Sequence, residues 1–138
     1  MRLEKGYGSW TREYRPIYTP AEAGMDRLVR MDKGEFIGRD ALLRPSNQPK
    51  MRLAHFTVEA EEADAFGDEA ILLDGKVAGW VTSGGYSPTA NMSVAIGYVY
   101  DAIADAVDGY AIEIVGAPRK ARRLARPLFD PESVRLRA

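Results

Sequence analysis

The feature that most constrains the fold is the stretch AILLDGKVAGWVTSG, which occupies residues 70–84. Two runs of β-favouring residues lie on either side of Asp74 and Gly75. An Asp-Gly pair suits the two positive φ angles of a type I′ turn, which joins antiparallel strands through two residues. The stretch therefore predicts a β-hairpin.

Other segments after residue 50 also alternate with the period of two that is typical of strands. In residues 51–60, Ala54, Phe56 and Val58 alternate with more polar neighbours. The remaining predicted strands are residues 93–100, 110–115 and 119–125. The tripeptide GAP, residues 116–118, separates the last two. Six strands divided by turns predict a small antiparallel β-barrel or sandwich.

The first third of the chain contains few regular elements. It opens with RLEKGYGSW, which shows neither a strand pattern nor a capped helix. Residues 18–24 suit a single helical turn that ends at Gly24. RLVRM, residues 27–31, is compatible with one strand, and residues 37–43 with a brief helix. The prolines of residues 44–50 indicate a linker, so a short α+β segment precedes the β-rich part.

Composition excludes several classes of protein. The 138 residues, of which 46% are hydrophobic, suffice for one globular domain. A net charge of −1 argues against a nucleic-acid partner. The absence of cysteine excludes disulfides and thiolate metal sites, and one histidine leaves no histidine cluster, so we expect no metal. Without a signal-peptide core or an apolar run of about 18 residues, we expect no membrane partner and a cytoplasmic location.

No catalytic residues are predicted. Ser83, Ser87 and Ser93 lack the G-x-S-x-G context of a nucleophile. His55 lies inside a strand pattern, where we interpret it as an ordinary, partly buried or surface histidine. The acidic residues 59–69 form no pair suited to acid–base chemistry and are interpreted as a solvated loop or short helix.

A basic run near the end of the chain has two interpretations. It comprises Arg119, Lys120, Arg122, Arg123 and Arg126. Arginine side chains match carboxylates, so the run is compatible with a clamp for an acidic ligand or partner domain. It is equally compatible with a charged edge strand that discourages aggregation.

Four blocks of sequence resemble a known family. RLEKGYGSW, TPAEAGMDRLVRMDKGEFIGRDAL, GKVAGWVTSGGYSPTANMSVAIGYV and PLFDPESVRLR resemble, in order and spacing, the C-terminal part of the glycine-cleavage T-protein (aminomethyltransferase) family. The chain is most similar to the folate-binding module of dimethylglycine and sarcosine dehydrogenases or oxidases. The resemblance implies that residues 1–45 end a folate-binding domain, residues 50–130 form a six-stranded antiparallel β-barrel, and residues 131–138 form a C-terminal tail.

The resemblance also implies a function. In the fused enzymes of this family, a flavin domain oxidises an N-methyl group and tetrahydrofolate collects the one-carbon unit. It implies tetrahydrofolate as the cofactor here, with FAD only in an N-terminal part of a longer parent chain. The flavin and folate domains of that parent would be the partners, and the catalytic aspartate would lie there too, so we expect this segment alone to be inactive. The alternative is a stand-alone, non-catalytic β-barrel that binds another protein.

A few positions of this sequence match the family's folate contacts. Arg2, in the RLE motif, corresponds to a folate-contacting arginine, and Arg135 corresponds to a second one, with Arg137 as runner-up. Arg27 stands where the family usually has an aromatic ring beside the folate, and arginine can also stack on aromatic faces. Both terminal arginines are physically sensible because the glutamate of folate carries two carboxylates.

The stretch GWVTSGGYSPT, residues 79–89, is unusually rich in glycine and hydroxyl groups. The resemblance places it at the rim of the barrel hairpin, where glycine permits close approach of another backbone. We interpret it as a turn that shapes a domain interface, with direct ligand contact as the alternative. Tyr86 is its one candidate ligand-binding side chain.

Overall fold

The computed structural model describes residues 1–44, 48–135 and 137, and its main feature is a closed antiparallel barrel. The strands are β1 (Met51–Val58), β2 (Ala70–Leu73), β3 (Lys76–Ser87), β4 (Met92–Tyr100), β5 (Tyr110–Ile114) and β6 (Ala117–Leu124). Around the barrel their order is β1-β4-β3-β2-β5-β6, and every neighbouring pair is antiparallel. The mainly β, six-stranded barrel is therefore confirmed, and the sandwich is excluded.

Turn chemistry fixes two of the hairpins. Asp74 and Gly75 have φ angles of 49° and 76°, so the predicted turn between β2 and β3 is confirmed. The turn between β5 and β6 is formed by Val115 and Gly116, with φ angles of 50° and 73°. The prediction that GAP separates these strands is therefore wrong for its last two residues: β6 begins at Ala117, and Pro118 pairs with Glu113.

The barrel interior is filled by the alternate side chains that the sequence pattern indicates. In β1, Ala54, Phe56 and Val58 are buried, as predicted. Phe56 contacts the ring of Tyr110 edge-on, with 5.1 Å between centroids. In β4 every residue from 93 to 99 is buried, although only alternate residues can face the interior. The outer face of β4 must therefore be covered by another part of the chain.

The covering element is the N-terminal segment. The ring of Tyr18 stacks on Tyr98 of β4 with 3.8 Å between centroids. The Tyr98 hydroxyl donates a hydrogen bond of 2.8 Å to the backbone oxygen of Glu13. On the neighbouring strand, Arg12 donates to the backbone oxygen of Thr82. Residues from the first fifth of the chain thus pack on the outer face of the barrel.

The short elements of the first third agree only in part with expectation. A four-residue helix, α1 (Arg2–Lys5), occupies a stretch in which no helix was predicted. The single turn ending at Gly24 is confirmed, since Met25 donates to the Pro20 oxygen and Gly24 has a φ of 67°. The brief helix is also confirmed as α2 (Arg39–Leu43).

The strand expected at residues 27–31 is wrong. Asp26–Leu28 forms a 3₁₀ helix instead. The physical reason is that a strand needs a partner, and the closed barrel leaves no free edge to pair with it. Residues 45–47 of the predicted linker and residues 136 and 138 of the predicted tail lie outside the described residues, and the domain boundaries stay predictions. Within the described ranges, no helix is long and apolar enough to cross a membrane.

Candidate functional site

Two of the arginines singled out by the resemblance lie on one cavity. A cavity of about 390 Å³ is lined by α1 and by the C-terminal tail, here residues 125–135 and 137. Arg2 lines it from α1, and Arg135 lines it from the tail, 133 positions later in the chain. Met1, Tyr7 and Phe129 add apolar surface. The cavity therefore combines two guanidinium groups with an apolar wall.

The two arginines differ in whether a carboxylate of the chain already pairs with the guanidinium. Arg2 donates 3.1 Å to the backbone oxygen of Tyr7 and forms a 3.4 Å ion pair with Glu13. The guanidinium of Arg135 lies 5.1 Å from the centroid of the Phe129 ring, and no carboxylate among the described residues pairs with it. Arginine forks bind carboxylates in two-point fashion, so the cavity is suited to an anion with two charged oxygens or more.

Arg2 is held by a buried glutamate. Glu13 is fully buried, and its carboxylate accepts hydrogen bonds from the hydroxyls of Thr82 and Ser83 at 2.6 and 2.5 Å and from the Ser9 N–H at 2.6 Å. Burial is the largest influence on Glu13 and by itself raises its pKa. The hydrogen bonds and the Arg2 charge outweigh it, so the pKa lies below its ordinary value and the carboxyl is ionised.

A second buried glutamate fixes α1. The Glu4 carboxylate accepts hydrogen bonds from the Ser87 hydroxyl at 2.7 Å and from the Thr89 N–H at 3.0 Å. The Ser87 hydroxyl contributes most to lowering the pKa of Glu4 to about 2. Since Glu4 follows Arg2 on the same helical turn, these bonds fix the orientation of the helix that carries Arg2.

Arg27 lies on an adjoining cavity. This cavity, of about 300 Å³, shares Lys5 and Tyr7 with the first. Arg27 is exposed and has no ion pair among the described residues. His55 also lines it; its Nε2 atom is buried without a hydrogen-bond partner in the described part of the chain. Burial lowers the pKa of His55, so the imidazole is neutral near neutral pH.

Arg137 and Tyr86 lie apart from these cavities. The Arg137 guanidinium donates to the backbone oxygens of Glu132 and Ser133 and lines neither cavity. Tyr86, about half exposed, bonds the Asn91 side chain and lines a separate groove beside the acidic loop. The structure thus brings Arg2 and Arg135 together, places Arg27 next to them, and leaves Arg137 and Tyr86 outside.

Comparison with known proteins decides the family. The family model described as the glycine cleavage T-protein C-terminal barrel domain matches residues 51–130. The chain belongs to this family. Mouse mitochondrial dimethylglycine dehydrogenase is 34% identical over 99% of the chain, and mouse mitochondrial sarcosine dehydrogenase is 33% identical over 99%. The chain spans only 16% of the length of either relative.

A solved structure shows the same fold. The aminomethyltransferase T of the glycine cleavage system from Bartonella henselae superposes with a TM-score of 0.79 and 24% identity. The match covers 94% of this chain and 37% of that one. The family match and the superposition of the backbone on a solved structure thus both identify the T-protein barrel.

Four members of the basic run of this T-protein barrel pair with acidic side chains of the chain itself, and Arg123 has no such pair among the described residues. Strand β6 bonds to both β5 and β1, so its interpretation as an edge strand is wrong. Lys120 pairs with Glu59, and Arg122 with Asp108, both at 3.3 Å between charged atoms. Exposed pairs of this kind contribute little to stability.

Sequence reasoning missed the buried glutamates. The only local signal was the hydroxyl-rich stretch at residues 79–89, whose hydroxyls bind Glu4 and Glu13. Its glycines permit close packing: a Cβ on Gly79 would lie 1.9 Å from the Tyr98 oxygen, and one on Gly84 would lie 2.3 Å from the Ala65 oxygen. Residues 79–87 lie in strand β3, so the interpretation of this stretch as a turn is wrong. The hydroxyls of Thr82, Ser83 and Ser87, and not the glycines, join it to the N-terminal segment. No group of three or more His, Asp or Glu suited to a metal occurs in the described ranges.

Proposed function

We propose that this chain is the folate-binding C-terminal segment of a flavin-dependent, dimethylglycine- or sarcosine-type oxidoreductase. In that role it helps to pass a one-carbon unit, derived from an N-methyl group, to tetrahydrofolate. The observation that carries the proposal is the meeting of Arg2 and Arg135 on one cavity. The names of the two dehydrogenase relatives support the reaction class.

The residues on the cavity fit the acidic end of a folate. Its glutamate has two carboxylates, which Arg2 and Arg135 would neutralise with charge-assisted hydrogen bonds. Tyr7, about half exposed, offers an aromatic face next to them. Glu13 keeps Arg2 oriented without neutralising it completely, because Arg2 remains 40% exposed. When bound, tetrahydrofolate supplies the nitrogen atoms that accept the one-carbon unit.

The remaining chemistry is assigned to the parent chain. FAD would be held by an N-terminal flavin domain, and that domain and the folate domain would be the partners of this segment. We expect the segment by itself to bind and orient the ligand without turning it over. A cytoplasmic location stays a prediction from the sequence.

One observation favours the alternative of a stand-alone, non-catalytic binding barrel. The N-terminal segment is joined to the barrel by buried hydrogen bonds of Glu4 and Glu13 and by the stacking of Tyr18 on Tyr98. The segment therefore packs directly against the barrel through these contacts.

The first experiment identifies the native polypeptide by mass spectrometry of peptides that precede Arg2 in the source cell. Peptides that continue into a flavin-binding chain support the oxidoreductase. A native polypeptide of 15.3 kDa would overturn it in favour of the stand-alone barrel.

The second experiment titrates that polypeptide with tetrahydrofolate, followed by tryptophan fluorescence. Charge-assisted hydrogen bonds contribute about 1.5–3 kcal/mol each, so Arg2→Ala and Arg135→Ala should each weaken binding roughly 10- to 100-fold. Arg30→Ala is the matched control, because Arg30 is exposed and its one ion pair within the described part of the chain is with Asp32. Equal affinities of all three variants would refute the role of this cavity.

A further inference from the structure

Lys5 and Asp130 form a largely buried ion pair between the two ends of the chain. The Lys5 Nζ lies 3.1 Å from Asp130 Oδ2, and the two side chains are 11% and 8% exposed. The Lys5 ammonium also donates to the Ser133 hydroxyl at 3.0 Å and to the backbone oxygen of Asp130. The three hydrogens of the ammonium therefore all have acceptors on the tail.

Asp130 uses its second oxygen to shape the turn that carries Arg135. Oδ1 accepts hydrogen bonds from the Val134 N–H at 2.8 Å and from the Arg135 N–H at 3.4 Å. Asp130 and Ser133 have φ angles of 45° and 55°, which side-chain-bearing residues rarely adopt. Such a backbone persists only where surrounding contacts determine it. The contacts of the Asp130 carboxylate act here together with a backbone hydrogen bond of 2.9 Å from the Ser133 N–H to the Asp130 oxygen.

Lys5 lines the ligand cavity but is not free to bind an anion. Its ammonium is neutralised by Asp130 and directed at the tail. Apart from the bonds of this ammonium, a backbone hydrogen bond from the Phe129 N–H to the Glu4 oxygen at 3.0 Å joins this part of the tail to α1. Among the described residues, no other side-chain hydrogen bond or ion pair joins the tail to α1.

We propose that Lys5 and Asp130 are positioning residues, whose ion pair holds the tail turn so that Arg135 faces the cavity opposite Arg2. The inference rests on the proposed function for its ligand. It goes beyond that function by assigning a dependence: the contribution of Arg135 to binding exists only while Lys5 holds Asp130.

A double-mutant cycle tests this dependence. In the native polypeptide, tetrahydrofolate affinity is measured for Lys5→Met, for Arg135→Ala and for the double variant. Methionine keeps the apolar stem of lysine and removes the ammonium. We expect each single variant to weaken binding about 10-fold and the double variant to be no weaker than either, because coupled residues are non-additive. Lys76→Met is the control, because Lys76 is exposed and forms no ion pair with any residue that the structure describes.

Asp130→Asn removes the negative charge of the Asp130 side chain while keeping its size. Asparagine has a single acceptor oxygen, so if that oxygen accepts from the Val134 and Arg135 N–H groups its NH2 group faces the Lys5 ammonium, and this variant should weaken binding at least as much as Lys5→Met does. A 100-fold loss of tetrahydrofolate affinity in the variant that combines Lys5→Met and Arg135→Ala would overturn the proposal. So would wild-type affinity in Lys5→Met alone.

Hydrogen exchange supplies a readout that needs no ligand. Lys5→Met should accelerate exchange of the Val134 and Arg135 amides at least 10-fold while leaving the barrel strands unchanged. Unchanged exchange at these two amides would overturn the positioning role. If the wild-type polypeptide binds no tetrahydrofolate, the proposed function fails, and the exchange result alone decides whether Lys5 holds the tail.

Discussion

Glu13 accepts a hydrogen bond of 2.5 Å from the hydroxyl of Ser83, a residue 70 positions further along the chain. The same carboxylate oxygen accepts from Thr82, and the other oxygen accepts from the Ser9 N–H and faces Arg2. A buried carboxylate is costly unless its lone pairs are satisfied in this way. The N-terminal segment is therefore fixed on β3 by a polar contact as well as by apolar packing.

Replacing Glu13 should lower the free energy of unfolding. Glu13→Ala leaves the buried Ser83 hydroxyl and the Ser9 N–H without their acceptor and Arg2 without its partner, whereas Thr82 can still donate to the Ile96 backbone oxygen at 3.1 Å. We expect the free energy of unfolding to fall by about 3 kcal/mol, within the range for breaking a buried charge network. Urea denaturation followed by circular dichroism measures the change. Glu35→Ala is the control at an exposed glutamate, and equal stabilities of the two variants would contradict the prediction.

The buried carboxylates also determine how stability depends on pH. The pKa of Glu4 is about 2 in the folded chain, against an ordinary value of 4.5 that holds in the unfolded chain, chiefly because Ser87 donates a hydrogen bond to it. The unfolded state therefore binds more protons between these two values, and the stabilisation is present above pH 4.5. As the pH falls from 4.5 towards 2, the free energy of unfolding should decrease.

Glu4→Gln tests the assignment of this pH dependence, because glutamine does not titrate. Denaturation at a series of pH values should give a shallower decrease between pH 4.5 and 2 for the variant than for the wild type. An identical slope in both proteins would show that Glu4 is not responsible.

The parts of the fold that could be predicted are those encoded by neighbouring residues. Asp74 and Gly75 specify their own turn, and the alternation in residues 51–58 specifies which face of β1 is buried. The wrong strand prediction at residues 27–31 arises because it used the same local information. Alternation of polar and apolar residues indicates which face of a strand would be buried, but it does not show whether a partner strand is available. Val115 was missed as a turn residue because β-branched residues seldom adopt a positive φ.

The candidate site was accessible only in part. Arg2 and Arg135 were suggested by resemblance, since no local pattern relates residues at opposite ends of the chain. The Lys5–Asp130 pair spans 125 positions, and single charged residues give no signal of such a pairing. Contacts of this separation are decided by how the barrel closes, and they become visible only in three dimensions.

Thr11 offers a way to stabilise the chain. It is a β-branched residue with a φ of 72°, in a region that glycine adopts without a Cβ clash. The left-handed conformation costs about 1–2 kcal/mol for such a residue, and glycine loses part of that gain through its greater unfolded-state entropy. Thr11→Gly should therefore raise the free energy of unfolding by about 0.5–1 kcal/mol.

The control for this prediction is Thr11→Ala. Alanine removes the β-branch but keeps the Cβ, so it should stabilise less than glycine does. Thermal denaturation of the three proteins measures the order. A glycine variant that is less stable than the wild type would show that the threonine side chain makes a compensating contact.

Gly79 should tolerate no side chain at all. A Cβ added there would lie 1.9 Å from the backbone oxygen of Tyr98, on the neighbouring strand β4, which cannot move away without breaking its ladder with β3. Overpacking a core costs about 1–3 kcal/mol where side chains can yield, and a backbone atom yields less, so Gly79→Ala should reach or exceed the upper value.

Gly34→Ala is the control: its φ of 89° is strained for alanine, but no heavy atom lies within 4 Å of the new Cβ. Urea denaturation should show the larger loss at Gly79, because a steric clash inside the barrel is added there to an otherwise ordinary backbone, whereas Gly34 suffers conformational strain alone. Equal losses at the two positions would mean that β3 and β4 can separate locally, which would contradict the close approach that the glycines of β3 permit.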